Sequence, residues 1–185
     1  MSKIRLSDLV VVTTSKNKLS EINQILGTNH QVSRINISEI QSLDLDEVIT
    51  QKAKDAYKII KKPVLVEDIS FEIEALNGLP GTFIKFFLKT LGTEETVKLV
   101  GNKKTDTKVT AAVAIYDGKK LKVFKGIVHG TLSPENKGPF GFGFDKVFIP
   151  NGYIQTFAQM PPSLKNKISH RAKALRQVLT FFKGS

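Results

Sequence analysis

The chain has no cysteine, no tryptophan and only three histidines. Without cysteine there is neither a disulfide framework nor a thiolate metal site, so stability must come from a packed core and a metal must be held chiefly by oxygen. No run of about 20 apolar residues is present to span a bilayer. The chain opens Met1-Ser2-Lys3-Ile4-Arg5 and reaches Asp8 before any apolar run. A secretory h-region is therefore lacking, and the expectation is a cytoplasmic protein with no membrane partner. Glycine is missing from the first strand-to-helix turn, which excludes a P-loop or a dinucleotide fingerprint there. Charge is one-sided without being concentrated. Lys and Arg number 28 against 17 Asp and Glu, a net charge of +11, yet lysines come as pairs such as Lys61-Lys62, Lys103-Lys104 and Lys119-Lys120. Pairs of that kind read as solvated surface with a weak, salt-sensitive affinity for polyanions.

What is present suffices for one substantial core. At 185 residues and 41% hydrophobic content, the chain can form a single domain or two intimately packed lobes. Its organising stretch is Val64-Leu65-Val66-Glu67-Asp68, an apolar run that ends in two acids just after Pro63. Such a run reads as a buried parallel strand that delivers carboxylates to the crevice where open α/β sheets bind ligands. Adjacent residues of a strand face opposite sides, so Glu67 and Asp68 should have different tasks, one toward a metal and the other bracing a neighbour. Glu39 follows a second candidate strand, 31–37, and the three carboxylates could converge. Hard oxygen ligands with few histidines favour Mg²⁺ or Mn²⁺ over zinc.

The rest of the chain alternates strand and helix signals. Leu9 to Thr13 is an apolar β-branched run; Leu19, Ile22, Ile25 and Leu26 then recur at helical spacing until Gly27. The intervening hydroxyls, with Lys18, either meet an anion at the positive end of the helix or simply cap it through Ser15 or Asn17. Asp44 with Glu47 has capping-box character and opens a helix that Pro63 closes; its Lys52 is, by itself, a solvated-face lysine. Thr82 is placed to cap an apolar segment, 83–88, expected to be a buried helix or a subunit interface and interrupted by Lys85. Thr93 is expected to cap a helix through Val100. Two long strands flank Asp117-Gly118, a hairpin signal, and His129 in the second reads as structural. Glycine spacing from Gly126 to Gly130 marks a twist or bulge. In Gly138 to Asp145 glycines alternate with aromatics, an arrangement that suits either base stacking or a core-packed turn. Ser169 should cap the last helix, with Leu175, Val178, Leu179 and Phe182 buried and Lys165, His170 and Arg171 near its start.

The ordered set Thr13-x-Ser15-x-x-Lys18-x-x-Glu21, Glu39, Val66-Glu67-Asp68, Gly78-Leu79-Pro80-Gly81, Phe142-Gly143-Phe144-Asp145 and Lys165-Asn166-x-x-Ser169-His170-Arg171 resembles the inosine triphosphate pyrophosphatase (Ham1) family. It covers nearly the whole chain in the family's order. The resemblance implies an α/β fold, an elongated two-lobed mixed sheet with helices on its faces and a central active-site cleft, all within one domain, 1–185. It further implies a Mg²⁺-dependent homodimer, with Mn²⁺ as the alternative ion, that cleaves ITP, dITP and XTP to monophosphate and pyrophosphate. On that match Thr13, Thr14, Ser15, Lys16, Asn17 and Lys18 would cradle the triphosphate, and Lys52, Lys85 and Lys165 would neutralise it. Glu39 and Asp68 would hold the metal, with Glu67 a third candidate, and Asp68 would also accept the proton of the attacking water. Phe142 would stack on the base, the Gly143-Phe144-Asp145 turn would line its pocket, and His170 and Arg171 would reach the purine edge.

Three residues depart from the family pattern. Ser15 stands where asparagine is usual. Ile69 replaces a serine or threonine after the acids, leaving only its backbone N–H for substrate, and Lys146 replaces a proline, which would loosen its turn. Two other readings compete: a Maf-like pyrophosphatase of other modified nucleotides, and a basic nucleic-acid-binding module using Phe140, Phe142 and Phe144. The acids argue against the module, since they would repel a phosphate backbone, and no specific nucleic-acid partner is expected.

Overall fold

The structure, a computed structural model, describes residues 4–101 and 103–184; the first three residues of the opening stretch lie outside that description. It divides into two compact units. The first comprises Met1–Asp68, Ala111–Gly126 and Arg171–Ser185, the second Ile69–Thr110 and Ile127–His170. The described strands form one mixed seven-stranded sheet in the order β2-β1-β3-β5-β6-β7, with β4 paired to β3. Among the described residues no helix is long and apolar enough to cross a membrane.

The first unit is built on β1 (Val10–Val12), β2 (Gln31–Ser33) and the start of β3 (Val64–Ile73). Both β2 and β3 pair with β1 in parallel. Side chains alternate across this sheet, which explains the unbroken apolar runs. Leu9, Val11 and Leu65 pack with Ile22 of α1 (Lys16–Leu26) and Leu175 of α6 (His170–Lys183), while Val10, Val12, Val64 and Val66 pack with Ile49 and Ala53 of α2 (Leu45–Ile60). Both faces are therefore covered. The expected strand 31–37 is shorter than its pattern suggests, because beyond Ser33 the chain leaves the ladder and Ile35 and Ile37 join the cluster under α2.

In the second unit the end of β3 pairs antiparallel with β4 (Pro80–Gly81), and β6 (Leu121–Leu132) pairs antiparallel with β7 (Phe148–Pro150). With β5 (Asp106–Tyr116) they enclose a core rich in phenylalanine, in which the Phe71 and Phe144 rings lie 4.4 Å apart. Of the two readings of the apolar segment, the buried helix is not realised: in α3 (Ile84–Thr90) only Ile84 is buried and Phe86 is 52% exposed, which leaves the alternative of a subunit interface. Neither threonine caps a helix. Phe83 immediately precedes α3, and α4 (Gly92–Val100) begins two residues earlier than a Thr93 cap requires; the Thr93 hydroxyl donates to Asn136 Oδ1 at 2.6 Å.

Gly130 marks a close approach of β6 and β7. A Cβ there would lie 2.2 Å from the Ile149 carbonyl oxygen and 2.8 Å from the Phe148 ring. Backbone cannot retreat as a flexible side chain can, so Gly130→Ala should lower stability by about 1–3 kcal/mol in urea denaturation. An unchanged midpoint would show that the two strands can separate without cost.

Candidate functional site

In the first unit the charged residues are positioned by α1, α2, β3 and the start of α6. Ser15 precedes α1 and its Oγ accepts the Lys18 N–H at 3.2 Å, while Thr13 Oγ1 accepts the Ser15 N–H at 3.1 Å. The capping reading of Ser15 is thus realised, and Asn17 lies inside the helix rather than capping it. Thr14, Lys16 and Asn17 are exposed around the helix start, where first-turn amides and the dipole favour an anion.

Alternation along β3 separates the two acids. Glu67 is buried, with Lys18 Nζ 2.8 Å from Oε2 and Arg171 Nη2 2.9 Å from Oε1. Arg171 Nη1 is ion-paired with Glu21. Burial pushes the Glu67 carboxyl up, but Arg171 and then Lys18 outweigh it and hold it at about 2, against an ordinary 4.5. Asp68 is turned elsewhere. Lys52 of α2 places its Nζ 2.9 Å from Asp68 Oδ2, 2.8 Å from Glu39 Oε1 and 3.2 Å from the Glu67 carbonyl oxygen. Burial lowers the pKa of this ammonium, and the two carboxylates more than restore it, leaving it above its ordinary value. Lys52 is therefore not a solvated-face lysine. Glu39 and Asp68 converge on one cation, while Glu67 faces Lys18 and Arg171.

The second unit carries its own cluster. The Asp145 carboxylate accepts the Phe142 N–H at 2.7 Å and receives the buried Lys165 ammonium at 2.5 Å; that ammonium also lies 4.8 Å from the centre of the Phe142 ring. Gly141 is required beside it, since a Cβ would come within 2.4 Å of Asp145 Oδ2. The turn is not loosened at Lys146, whose carbonyl accepts the Lys137 N–H at 2.9 Å. Phe142 remains partly exposed, whereas Phe144 is in the core against Phe71, Phe148 and the His170 ring. Gly143 and Lys85 are exposed, and Ile69 is buried in the phenylalanine-rich core.

Several of these residues already have partners within the chain. Arg171 and His170 are each 1% exposed, and the guanidinium is occupied with Glu21 and Glu67 rather than offered as a free edge for a base. Lys165 is committed to Asp145. Glu21 was quoted in the motif without a role. It lies one turn after Lys18 on the same helix face, and that i,i+3 relation was the signal available to find it.

A parallel sheet edge covered by helices, with Glu67 and Asp68 within β3 paired to lysines of α1 and α2, places the chain among α/β proteins whose charged residues gather beside a helix N-terminus. The chain belongs to the Ham1 family, which it matches over residues 9–181. It is 39% identical over 176 residues to the dITP/XTP pyrophosphatase of Hyperthermus butylicus, covering 92% of each chain. It is 37% identical over 197 residues to the inosine triphosphate pyrophosphatase of Candida albicans, covering 94% of this chain and 96% of that one. The solved structure of a HAM1 protein from Coxiella burnetii superposes with a TM-score of 0.82 at 25% identity, covering 96% of this chain and all of the other.

The Glu67 ion pairs set a pH dependence. Its folded pKa is depressed, so its contribution is complete above the ordinary 4.5 and is lost as pH falls from there toward about 2. Glu67→Gln should cost about 3–5 kcal/mol at pH 7, as expected when one partner of a buried ion pair is removed. Its stability should then fall less steeply than the wild type's below pH 4.5. Parallel pH profiles in urea denaturation would remove Glu67 from this role.

Proposed function

We propose that this protein hydrolyses non-canonical purine nucleoside triphosphates, ITP, dITP and XTP, to the monophosphate and pyrophosphate, with Mg²⁺ as its cofactor. One observation carries the reading: Glu39, in the loop after β2, and Asp68, within β3, converge on a single cation position. Two carboxylates suit Mg²⁺, which usually takes only one or two from the protein and completes its shell with phosphate oxygens and water. When bound there, Mg²⁺ would withdraw charge from a triphosphate that carries about four negative charges near neutral pH.

The chain's own residues account for the remaining chemistry. Thr13 to Lys18 offer hydroxyls, first-turn amides and an ammonium to the phosphates, and Lys52 adds a second ammonium. Asp68 orients water and takes its proton as the water oxygen bonds to phosphorus; the α–β phosphoanhydride breaks and pyrophosphate leaves. Glu67 holds Lys18 rather than the ion. In the second unit the partly exposed ring of Phe142, fixed by Asp145 and Lys165, offers a face on which a base can stack. Arg171, expected at the purine edge, is engaged with Glu21 and Glu67, so we assign the contact to a 6-keto oxygen to a backbone N–H. Adenine would oppose that donor with its amino group, a mismatch that can cost orders of magnitude.

The same reading includes a homodimer. Its support is the apolar surface on the two short helices, with Phe86 at 52% and Leu99 at 52% exposure. The nucleic-acid alternative is less well supported, because Phe144 is in the core and the three rings are not presented together.

Pyrophosphate release should be measured for ITP, XTP, ATP, GTP and TTP, each with and without Mg²⁺. Fast release is expected only for ITP and XTP with metal present. ATP turnover matching ITP, or metal-independent turnover, would sink the proposal. Asp68→Asn should abolish turnover with the circular dichroism spectrum unchanged; appreciable residual activity would take Asp68 out of its role.

A further inference from the structure

The Lys52 ammonium occupies the position that Glu39 and Asp68 would offer a metal. Its three N–H donors meet three acceptors: Glu39 Oε1 at 2.8 Å, Asp68 Oδ2 at 2.9 Å and the Glu67 carbonyl oxygen at 3.2 Å. The arrangement is partly enclosed, with the Lys52 side chain 12%, Asp68 16% and Glu39 32% exposed. A divalent ion shared by the same two carboxylates would need the same space, and at such separations the two cations repel strongly. Displaced on its own, the ammonium would lose three hydrogen bonds within a partly buried setting, a cost that discourages the exchange. A triphosphate changes the balance by supplying new anionic acceptors.

We propose that Lys52 is an internal counter-ion that keeps the Glu39–Asp68 position closed to free divalent cations and yields it when a triphosphate accepts its ammonium. This rests on the assignment of Glu39 and Asp68 as Mg²⁺ ligands made above. Metal and triphosphate then bind synergistically, because each favours the state in which Lys52 has left the carboxylates, and by linkage the benefit is mutual. The lysine thereby acts as a selector for the metal–nucleotide pair over the bare ion.

The test is Mn²⁺ binding followed by electron paramagnetic resonance in the wild type and in Lys52→Gln, without nucleotide. Lys52→Gln should bind Mn²⁺ at least about tenfold more tightly. A non-hydrolysable α,β-imido inosine triphosphate should tighten Mn²⁺ binding in the wild type by a similar factor and leave the variant nearly unchanged. Equal or weaker Mn²⁺ binding by the variant would overturn the proposal. Should the variant not fold, the wild type decides alone. Its Lys52 Nζ resonance, observed with ¹⁵N-lysine, should show protection from exchange in metal-free protein and lose it at saturating Mg²⁺. Survival of that protection at saturation would also overturn the proposal. If hydrolysis depends on Mg²⁺ while Lys52→Gln binds Mn²⁺ no better, this inference fails and the proposed function stands; metal-independent hydrolysis removes both.

Discussion

The arrangement of the first unit depends on one buried anion. Glu67 is 5% exposed on a strand covered on both faces, and a carboxylate there is tolerated only if its charge is met. Lys18 and Arg171 meet it, and they come from two different helices. Glu21 pairs with the other nitrogen of the same Arg171 guanidinium, so the network alternates in sign from helix to strand to helix. A network of that kind fixes register more than it adds net stability, because removing any one member leaves a buried charge behind. Through Lys18 it ties the first turn of α1, which Ser15 caps, to β3.

The neighbouring acid has the opposite character because a strand reverses direction with every residue. Glu67 looks into the packed interior and Asp68 toward Lys52 and Glu39, which are less enclosed. The same chemical group therefore serves as a structural anchor at one position and a cation ligand at the next. In the second unit Asp145 repeats the first of these roles: its carboxylate holds a backbone N–H on one side and a buried ammonium on the other.

The parts legible in the sequence were those governed by local rules. The first strand and helix, the capping by Asp44, the hairpin at Asp117-Gly118 and the separation of Glu67 from Asp68 follow from period, turn chemistry and alternation. What escaped depended on partners distant in sequence. Nothing local shows that Arg171 spends its guanidinium on Glu21, 150 residues away, or that Lys165 is neutralised by Asp145. A lysine or arginine close to a helix start reads as a ligand for an anion until its internal acid is known. For the helix at Ile84–Thr90 the sequence allowed either burial or a subunit interface for a related reason: an apolar pattern states that surface should be covered, not that this chain covers it.

The three departures from the family pattern have different structural weight. Ser15 is occupied as a cap on the Lys18 N–H, so its hydroxyl already has a role within the chain and the loss of an asparagine amide is a loss of reach toward an anion. Lys146 is exposed on a turn whose backbone bonds are intact, including Val147 N–H to the Phe144 carbonyl at 3.0 Å, so proline is not needed to hold it. Ile69 follows Asp68 on β3 and, by the same alternation that turned Asp68 toward Lys52, its side chain enters the core with Phe71 and Phe144. A hydroxyl at that position would have needed a hydrogen-bond partner inside an apolar cluster, whereas isoleucine needs none. Its side chain therefore acts on packing immediately beyond Asp68.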